Sequence, residues 1–269
     1  MTNHAQTLKV DHYENFPVAS WLCPPHLRYP ITVIYQFART ADDLADEGPS
    51  SSEQRLFDLS EFRSDLSHCA ANSGDAYLEH SKWPHIFKPL GAVLRKYNIP
   101  TELLEKLLDA FEQDVMYTLR ERRYKNRDEL LAYCHKSACP IGRIMMHLMG
   151  ESGEEKLEKS DAICCALQLI NFWQDISVDL PRKRFYLPEN SSIQEEIEFA
   201  RDLMLKGSSL ALTIKGRAGW ELRAVVQGGL RIIDKLKHMD PSAQRPQITK
   251  VDYALIGWRC MFKKYFYPC

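Results

Sequence analysis

Several features that would assign this chain to a common class of protein are missing from its sequence. No apolar run approaches the roughly 18 residues of a membrane-spanning helix. No glycine- and serine-rich tract, internal repeat or long run of like charge interrupts the chain, which predicts a single domain over residues 1–269. The net charge of −1 and the isoelectric point near 6.8 argue against nucleic acid as the main partner.

The cysteines also lack a recognisable pattern. The chain has eight of them, but no CxxC pair, no Cys/His spacing typical of a metal site and no N-terminal signal peptide. We therefore expect reduced thiols in a cytoplasmic protein. Cys134 and Cys139 could be a ligand pair, although small buried apolar side chains are the simpler interpretation. His135 and His147 are interpreted as hydrogen-bonded or surface histidines, because no second imidazole is suitably placed.

The pattern that is present is helical. Apolar residues recur at steps of three and four, and no segment shows the sustained alternation of a half-buried strand, so we predict an all-α fold. Gly48-Pro49, Pro100-Thr101 and Pro181 are typical of helix boundaries. The predicted helices span residues 26–47, 53–71, 85–97, 101–123, 127–149, 154–180, 193–214, 218–239 and 248–266.

Two acidic clusters carry the functional signal. One is Asp42, Asp43 and Asp46 in ARTADDLADEG, and the other is Asn171, Asp175 and Asp179 in LQLINFWQDISVDL. Positions four apart on a helix differ by roughly 40°, so each cluster forms a stripe of oxygen ligands. Solvated helix faces are the alternative, but both clusters lie in apolar and aromatic sequence, where unpaired like charges are costly without a cation. Facing stripes would hold Mg²⁺ against a diphosphate.

Basic and apolar residues complete this hypothesis. Arg39 and the loop residues Arg182, Lys183 and Arg184 could grip phosphate or form salt bridges that neutralise the aspartates. The segment YCHKSACPIGRIMMHLMG, residues 133–150, combines small residues with a methionine-rich stretch. Its methionines are either ordinary core or the wall of a hydrocarbon pocket. Tyr133 is either half-buried structure or a polar group in that pocket.

The order of three motifs resembles a known family. YxFARxxDDxxDE, YCxxSAxPIG and NFWQDxxxDxxxxRxYLP follow one another as in the squalene and phytoene synthases. The resemblance covers about residues 10–190, and the segments ENFPVAS and FARTADDLADEG are most similar to the bacterial hydroxysqualene synthase branch. It implies an isoprenoid-synthase helical bundle with a central active-site cavity. It further implies Mg²⁺-dependent conversion of presqualene diphosphate and water to hydroxysqualene and diphosphate.

The resemblance also implies residue roles. Asp42, Asp46, Asn171, Asp175 and Asp179 become metal or diphosphate ligands, with the four aspartates acting in catalysis. Tyr133 is placed in the catalytic cavity. The implied substrate-binding residues are His12, Asn15, Arg39 and Arg184. Ala138 and Gly142 are added as substrate-binding residues because their small side chains would let a long hydrocarbon pass close to the helix backbone. Lys136 and Cys139 depart from the residue types usual at their positions in this family.

Other functions stay open at this point. Within enzymes, the chain could instead make presqualene diphosphate, squalene or phytoene from prenyl diphosphates; as a non-enzyme, it could be a scaffold or prenyl-lipid-binding protein. Water rather than hydride capture follows only from the resemblance.

The C-terminal segment suggests where the protein works. Trp258, Phe262, Tyr265 and Phe266 recur at helical spacing beside Arg259, Lys263 and Lys264. They predict either a last helix packed on the core or peripheral contact with the inner face of the membrane. Other enzymes of the squalene pathway are further possible partners.

Overall fold

The structure is a computed structural model that describes residues 23–71 and 76–267. These residues form helices and connecting turns, with no strand among them. The helices are α1 Pro25–Asp46, α2 Ser52–Ala70, α3 Pro84–Tyr97, α4 Glu102–Leu119, α5 Arg127–Ser137, α6 Cys139–Leu148, α7 Glu154–Gln174, α8 Ile176–Asp179, α9 Ile193–Ser208, α10 Leu210–Thr213, α11 Gly216–Leu236 and α12 Lys250–Cys260. Short 3₁₀ turns occupy Ala76–Glu79, Leu180–Arg182 and Lys263–Phe266.

Two apolar cores organise the helices. Helices α1 to α4 bury one core, which includes Phe37, Phe62 and Phe87 in mutual ring contact. The other core lies between α5, α7, α9 and α11 and contains the fully buried Trp173. Met149 packs against both cores, and α4 contacts both α5 and α6. The space between α1 and α4 on one side and α5 and α7 on the other therefore lies where the two cores meet.

Polar side chains fix several helix starts. Ser192 and Glu195 form a reciprocal capping box at the start of α9, and Thr249 and Asp252 form another at α12. The side chain of Asn126 accepts a hydrogen bond from the Glu129 backbone N–H at the start of α5. Each cap satisfies backbone donors that the first helical turn leaves without a partner.

Several helices that we predicted as continuous are broken in the structure. Residues 127–149 form α5 and α6, separated at Ala138, because Pro140 in the first turn of α6 lacks a backbone donor and disfavours helical geometry just before it. Residues 154–180 form α7 and α8, separated at Asp175 with φ −101° and ψ 11°. The predicted helix over residues 193–214 is likewise divided at Ser209.

The second break shapes the end of the acidic segment. After α8, Lys183 adopts the left-handed conformation with φ 61°, and the Arg184 N–H donates to the Asp179 carbonyl at 3.1 Å. This turn folds the chain back on itself. The buried Gln174 side chain donates to the Pro246 carbonyl and so holds the segment around Arg245 beside the same break.

Candidate active site

The two acidic stripes line one cavity of about 440 Å³. Asp42 and Asp46 lie in the last turn of α1, Asn171 lies in the last turn of α7, and Asp175 and Asp179 follow it. The loop that follows the second stripe contacts the first stripe, since Arg184 Nη2 lies 2.8 Å from Asp46 Oδ2. Both stripes therefore come together from distant parts of the chain at helix C-terminal ends, where the backbone dipole favours cations.

Acidic groups outnumber basic groups in this cavity. Its lining contains five aspartates, which are Asp42, Asp46, Asp114, Asp175 and Asp179, and two arginines, which are Arg39 and Arg184. Arg39 contacts Asp42 at 2.7 Å and Asp43 at 2.5 Å. Arg245 forms an ion pair with Asp175. The salt-bridge role that we considered for the arginines is thus present, but it leaves an excess of carboxyl groups.

Burial, together with the excess of negative charge, raises the pKa values of three of these aspartates. Burial, reinforced by the nearby Asp46 carboxylate, raises the pKa of Asp42 to about 6. Burial raises the pKa of Asp114 to about 7, and burial with the Asp175 charge raises the pKa of Asp179 to about 7. Each shift means that an ionised carboxylate is unfavourable here without further positive charge. Clusters of this kind mark functional sites more often than structural ones.

The donor set fits a hard divalent cation. Asp42, Asp43 and Asp46 each offer one carboxylate oxygen, and these atoms lie within 4.8 Å of one another. Asp46 Oδ1 is buried and has no hydrogen-bond partner within the described part of the chain. A buried carboxylate oxygen without a donor is costly unless a ligand satisfies it. Oxygen ligands of this type suit Mg²⁺.

An aromatic wall adjoins the acidic groups. Tyr133 is 4% exposed, and its hydroxyl donates to Asp114 Oδ2 at 2.5 Å. Phe172 and Tyr186 stack with ring centroids 3.8 Å apart, and both lie about 6 Å from the Tyr133 ring. Electron-rich ring faces stabilise a nearby cation without reacting with it. The wall therefore combines apolar surface with one buried polar pair.

Comparison with known proteins identifies the family. Residues 10–192 match squalene/phytoene synthase. A hydroxysqualene synthase from Sinorhizobium fredii is 30% identical over 268 residues, which cover 91% of this chain and 86% of that protein. The chain belongs to the squalene/phytoene synthase family.

Further relatives agree with this assignment. A hydroxysqualene synthase from Rhodopseudomonas palustris is 29% identical, with 94% of this chain and 89% of that protein covered. The crystal structure of squalene synthase HpnC from Alicyclobacillus acidocaldarius is 28% identical, with a TM-score of 0.71 over 84% of this chain and 89% of that one. The predicted all-α isoprenoid-synthase fold is confirmed, and the chain is an enzyme of isoprenoid biosynthesis.

A second cavity, of about 290 Å³, is apolar. Its lining includes Met145, Met146 and Met149 of the methionine-rich stretch, together with side chains from the start of α1 and from α7, α10 and α11. The two cavities follow one another along the same helices. On α1, Ile31 lines the apolar cavity and Tyr35 lines the polar one. On α7, Cys164 lines the apolar cavity and Gln168 lines the polar one. Four residues of helix advance about 6 Å, so the cavities are neighbours.

Some of the predicted substrate and phosphate contacts lie outside the polar cavity. Gly142 lines the apolar cavity, where a Cβ atom would overlap the Cys164 thiol and lie 2.7 Å from Ser160 Oγ, so the missing side chain permits close packing of α6 on α7. Ala138 forms the break between α5 and α6 and is not part of either cavity lining. Lys183 is exposed and pairs with Glu121 at 2.6 Å, as a surface salt bridge. His12 and Asn15 lie outside the described residues.

Other lining residues were missed from the sequence. Tyr35, Asp114, Gln168, Phe172 and Tyr186 line the polar cavity, and Arg245 reaches Asp175 from beyond the segment that carries the family motifs. Asp114 had no distinctive signal, because the surrounding segment AFEQDVM of α4 also contains Glu112 and Gln113, as an ordinary amphipathic helix would. The aromatic residues Tyr35, Phe172 and Tyr186 did have a signal, because each occupies a fixed position of the motifs that carry the family resemblance.

Proposed function

We propose that this enzyme converts presqualene diphosphate and water to hydroxysqualene and diphosphate with Mg²⁺. The observation that carries the proposal is the cavity that both oxygen-rich stripes line, where Arg184 of the loop after the second stripe pairs with Asp46 of the first. The names of two similar proteins, both hydroxysqualene synthases, support the choice of reaction within the family.

Mg²⁺ would be held by Asp42, Asp46, Asn171, Asp175 and Asp179. When bound, it supplies positive charge to the leaving diphosphate and lowers the barrier to ionisation. The excess of carboxyl groups and their raised pKa values are consistent with such a cation. Asn171 adds a neutral oxygen ligand without adding another negative charge.

Arg39 and Arg184 would bind the phosphate oxygens. Their guanidinium groups can make paired hydrogen bonds that match the geometry of phosphate. Both line the cavity beside the aspartates, and Arg184 is only about one-fifth exposed at 19%. Arg245 adds a third cation where α7 and α8 are separated, because it forms an ion pair with Asp175 of the second stripe.

The aromatic wall would protect the carbocation that ionisation creates. Tyr133, Phe172 and Tyr186 present ring surface that stabilises positive charge and offers few nucleophiles. The Tyr133–Asp114 hydrogen bond is the polar feature of this wall, and we propose that it helps position the attacking water. The prenyl chains would extend into the neighbouring apolar cavity, whose methionines adapt to irregular hydrocarbon shapes.

Both cores contribute to the catalytic cavity. Its lining combines residues of α1 and α4 with residues of α5 and α7. This shared lining supports the prediction that residues 1–269 act as a single domain.

The C-terminal segment supports peripheral membrane contact. Phe266 is buried and its carbonyl accepts a hydrogen bond from Ser208 Oγ at 2.7 Å, whereas Trp258 and Phe262 are 45% and 43% exposed. Lys263 and Lys264 are exposed beside them. An anchored turn with outward aromatic and basic side chains suits an anionic membrane surface. No helix within residues 23–71 and 76–267 is long and apolar enough to span a membrane, and we propose a cytoplasmic enzyme that touches the inner face of the membrane.

Product analysis tests the reaction. The purified enzyme is incubated with labelled presqualene diphosphate and Mg²⁺, with and without NADPH, and separately with farnesyl diphosphate. We expect a C30 alcohol from presqualene diphosphate whether or not NADPH is present, and its loss in Asp175→Asn. Squalene formed only with NADPH, or turnover of farnesyl diphosphate alone, would assign the chain to another reaction of the family. Binding of presqualene diphosphate without any turnover would favour the lipid-binding or scaffold alternative.

A further inference from the structure

Three soft ligand atoms meet away from the aspartates. His135 Nδ1 lies 3.3 Å from Cys139 Sγ, and Cys139 Sγ lies 3.3 Å from Cys165 Sγ. Ligand atoms of all three residues lie within 4.8 Å of one another. Cys139 and Cys165 are buried at 2% exposure each, whereas His135 is exposed. The cluster thus has a buried sulfur side and a side open to solvent.

The break between α5 and α6 creates this arrangement. His135 lies in the last turn of α5, and Cys139 begins α6 just after the break at Ala138. Cys165 comes from the middle of α7, which packs on α6. The sequence spacing alone does not reveal the cluster, because its third member comes from another helix.

We propose that His135, Cys139 and Cys165 form a binding site for Zn²⁺. Zinc binds cysteine sulfur at about 2.3 Å and histidine nitrogen at about 2.0–2.1 Å in tetrahedral geometry, which requires ligand atoms roughly 3.5–3.8 Å apart. The observed 3.3 Å separations need only small movements to reach that spacing. Water would occupy the fourth position on the open side, beside His135.

The ligand type separates this site from the aspartate cavity. Thiolate and imidazole select thiophilic cations, whereas carboxylate oxygens suit Mg²⁺. In the metal-free protein the partners of the Cys139 thiol are weak, namely the Asp161 carbonyl at 3.7 Å, the Cys165 sulfur at 3.3 Å and His135 Nδ1 at 3.3 Å. A bound Zn²⁺ would replace these weak contacts with coordination bonds and displace the thiol protons.

A metal here would connect elements that line the catalytic cavity. The cation would link the α5–α6 break to α7, and these helices carry Tyr133 and Phe172. Zinc would therefore fix the spacing of the aromatic wall and stabilise the folded enzyme, because the unfolded chain has no preformed site. The cation takes no part in the chemical step in this proposal.

Zinc retention and cobalt spectroscopy test the site. The full chain is reduced, loaded with Zn²⁺ and dialysed against excess Mg²⁺, and the bound zinc is measured by mass spectrometry. Co²⁺ then replaces zinc as an optical probe, since a sulfur-to-cobalt charge-transfer band reports thiolate ligands and the aspartates cannot produce one. His135→Gln removes a surface ligand without disturbing the core, and Cys165→Ser removes a sulfur with nearly conserved shape. His85→Gln and Cys69→Ser are the matched controls. His85 is exposed on α3, and Cys69 is buried in the core that α1 to α4 form.

The expected result is one retained zinc per wild-type chain and per control chain. The charge-transfer band should weaken in Cys165→Ser, because one of the two thiolate ligands is lost. Zinc affinity should fall at least about tenfold in His135→Gln, since loss of even an outer-shell partner of a metal ligand costs roughly 10–100-fold. At the same zinc concentration, zinc should raise the melting temperature of His135→Gln by less than that of the wild type and the controls. Cobalt binding without a sulfur band, or equal zinc retention in His135→Gln and the wild type, would overturn the proposal.

Discussion

Replacing Asp114 with asparagine should stabilise the metal-free enzyme while damaging its activity. Burial raises the pKa of Asp114 from 3.8 to about 7, a shift of about three units at roughly 1.4 kcal/mol each. Keeping this carboxyl ionised in the fold above pH 7 thus costs up to about 4 kcal/mol. Asparagine has nearly the same shape, cannot ionise and still accepts a hydrogen bond from Tyr133. Subtracting about 1–2 kcal/mol for a weaker hydrogen bond and an unpaired amide N–H leaves a net gain of about 2 kcal/mol at pH 8.

The sign of the effect depends on pH in a defined way. The folded-state pKa of Asp114 lies above the unfolded value, so the folded protein holds a proton that the unfolded chain has already released between about pH 4 and pH 7. Wild-type stability from this group therefore falls as pH rises through that window and is constant above it. Asp114→Asn lacks this loss, so its advantage over the wild type should be close to zero near pH 5 and largest at pH 8.

Urea unfolding without Mg²⁺, monitored by circular dichroism at pH 5 and pH 8, measures the stability difference between Asp114→Asn and the wild type and how it depends on pH. For a chain of this length the gain at pH 8 corresponds to a rise in melting temperature of about 4–8 °C. Turnover should fall about ten- to a hundredfold, because the variant loses a charged hydrogen bond of about 1.5–3 kcal/mol in the cavity.

Tyr133→Phe provides the matched control from the other side of the same hydrogen bond. The Tyr133 hydroxyl lowers the pKa of Asp114, so its removal should raise that pKa further and destabilise the enzyme, most strongly at alkaline pH. Turnover should fall roughly ten- to several-hundredfold with altered prenyl alcohols, if the hydroxyl acts on the transition state. An Asp114→Asn variant less stable than the wild type at pH 8, or one with the same pH dependence, would refute this account of Asp114.

Four other variants test separate parts of the protein. Asp42→Asn and Asp175→Asn should each lower turnover at least about a hundredfold, because each removes a charge that acts on the ionising diphosphate. Circular dichroism should show an intact fold in both variants. Near-normal turnover with unchanged Mg²⁺ dependence would contradict the facing stripes. Arg184→Ala should lower diphosphate affinity and turnover together in steady-state kinetics, whereas a loss of thermal stability alone would leave only its salt bridge with Asp46. A variant in which alanine replaces both Trp258 and Phe262 should no longer co-sediment with anionic lipid vesicles, while its turnover of a detergent-dispersed substrate stays unchanged. Unchanged sedimentation would favour a purely structural C-terminal segment.

The sequence was most informative where local periodicity decides the structure. The all-α fold was predictable from apolar residues at helical spacing, and the first acidic stripe was predictable because Asp42 and Asp46, four apart, share a face of α1. The second stripe does not follow one helix, because α7 ends just before Asp175 and Asp179 lies in α8. Both stripes lie at the helix ends where we expected them. The helix breaks at Ala138 and Asp175 were not predicted, although Pro140 and Pro181 follow closely and were available signals.

The rest of the cavity depends on tertiary packing. Asp114 lies on α4, and nothing in its own helix indicates that Tyr133 of α5 will donate to it. Arg245 reaches Asp175 across 70 residues of sequence, with the neighbouring segment held by Gln174. Contacts between helices of this kind follow from how whole helices pack, and residue patterns within one helix do not encode them.

The arrangement of charge explains why the cavity is costly to the protein and useful to the enzyme. Each raised aspartate pKa means a lower free energy of unfolding for the metal-free protein near neutral pH, because the ionised carboxylate lacks sufficient positive charge nearby. Apolar substitutions would remove this cost, but they would also remove the negative field that would attract a cation. The arginines compensate only part of the charge, so the residual repulsion is relieved when further positive charge arrives. Binding energy from a cation can therefore be large at this site without any rearrangement of the two helices that carry the stripes.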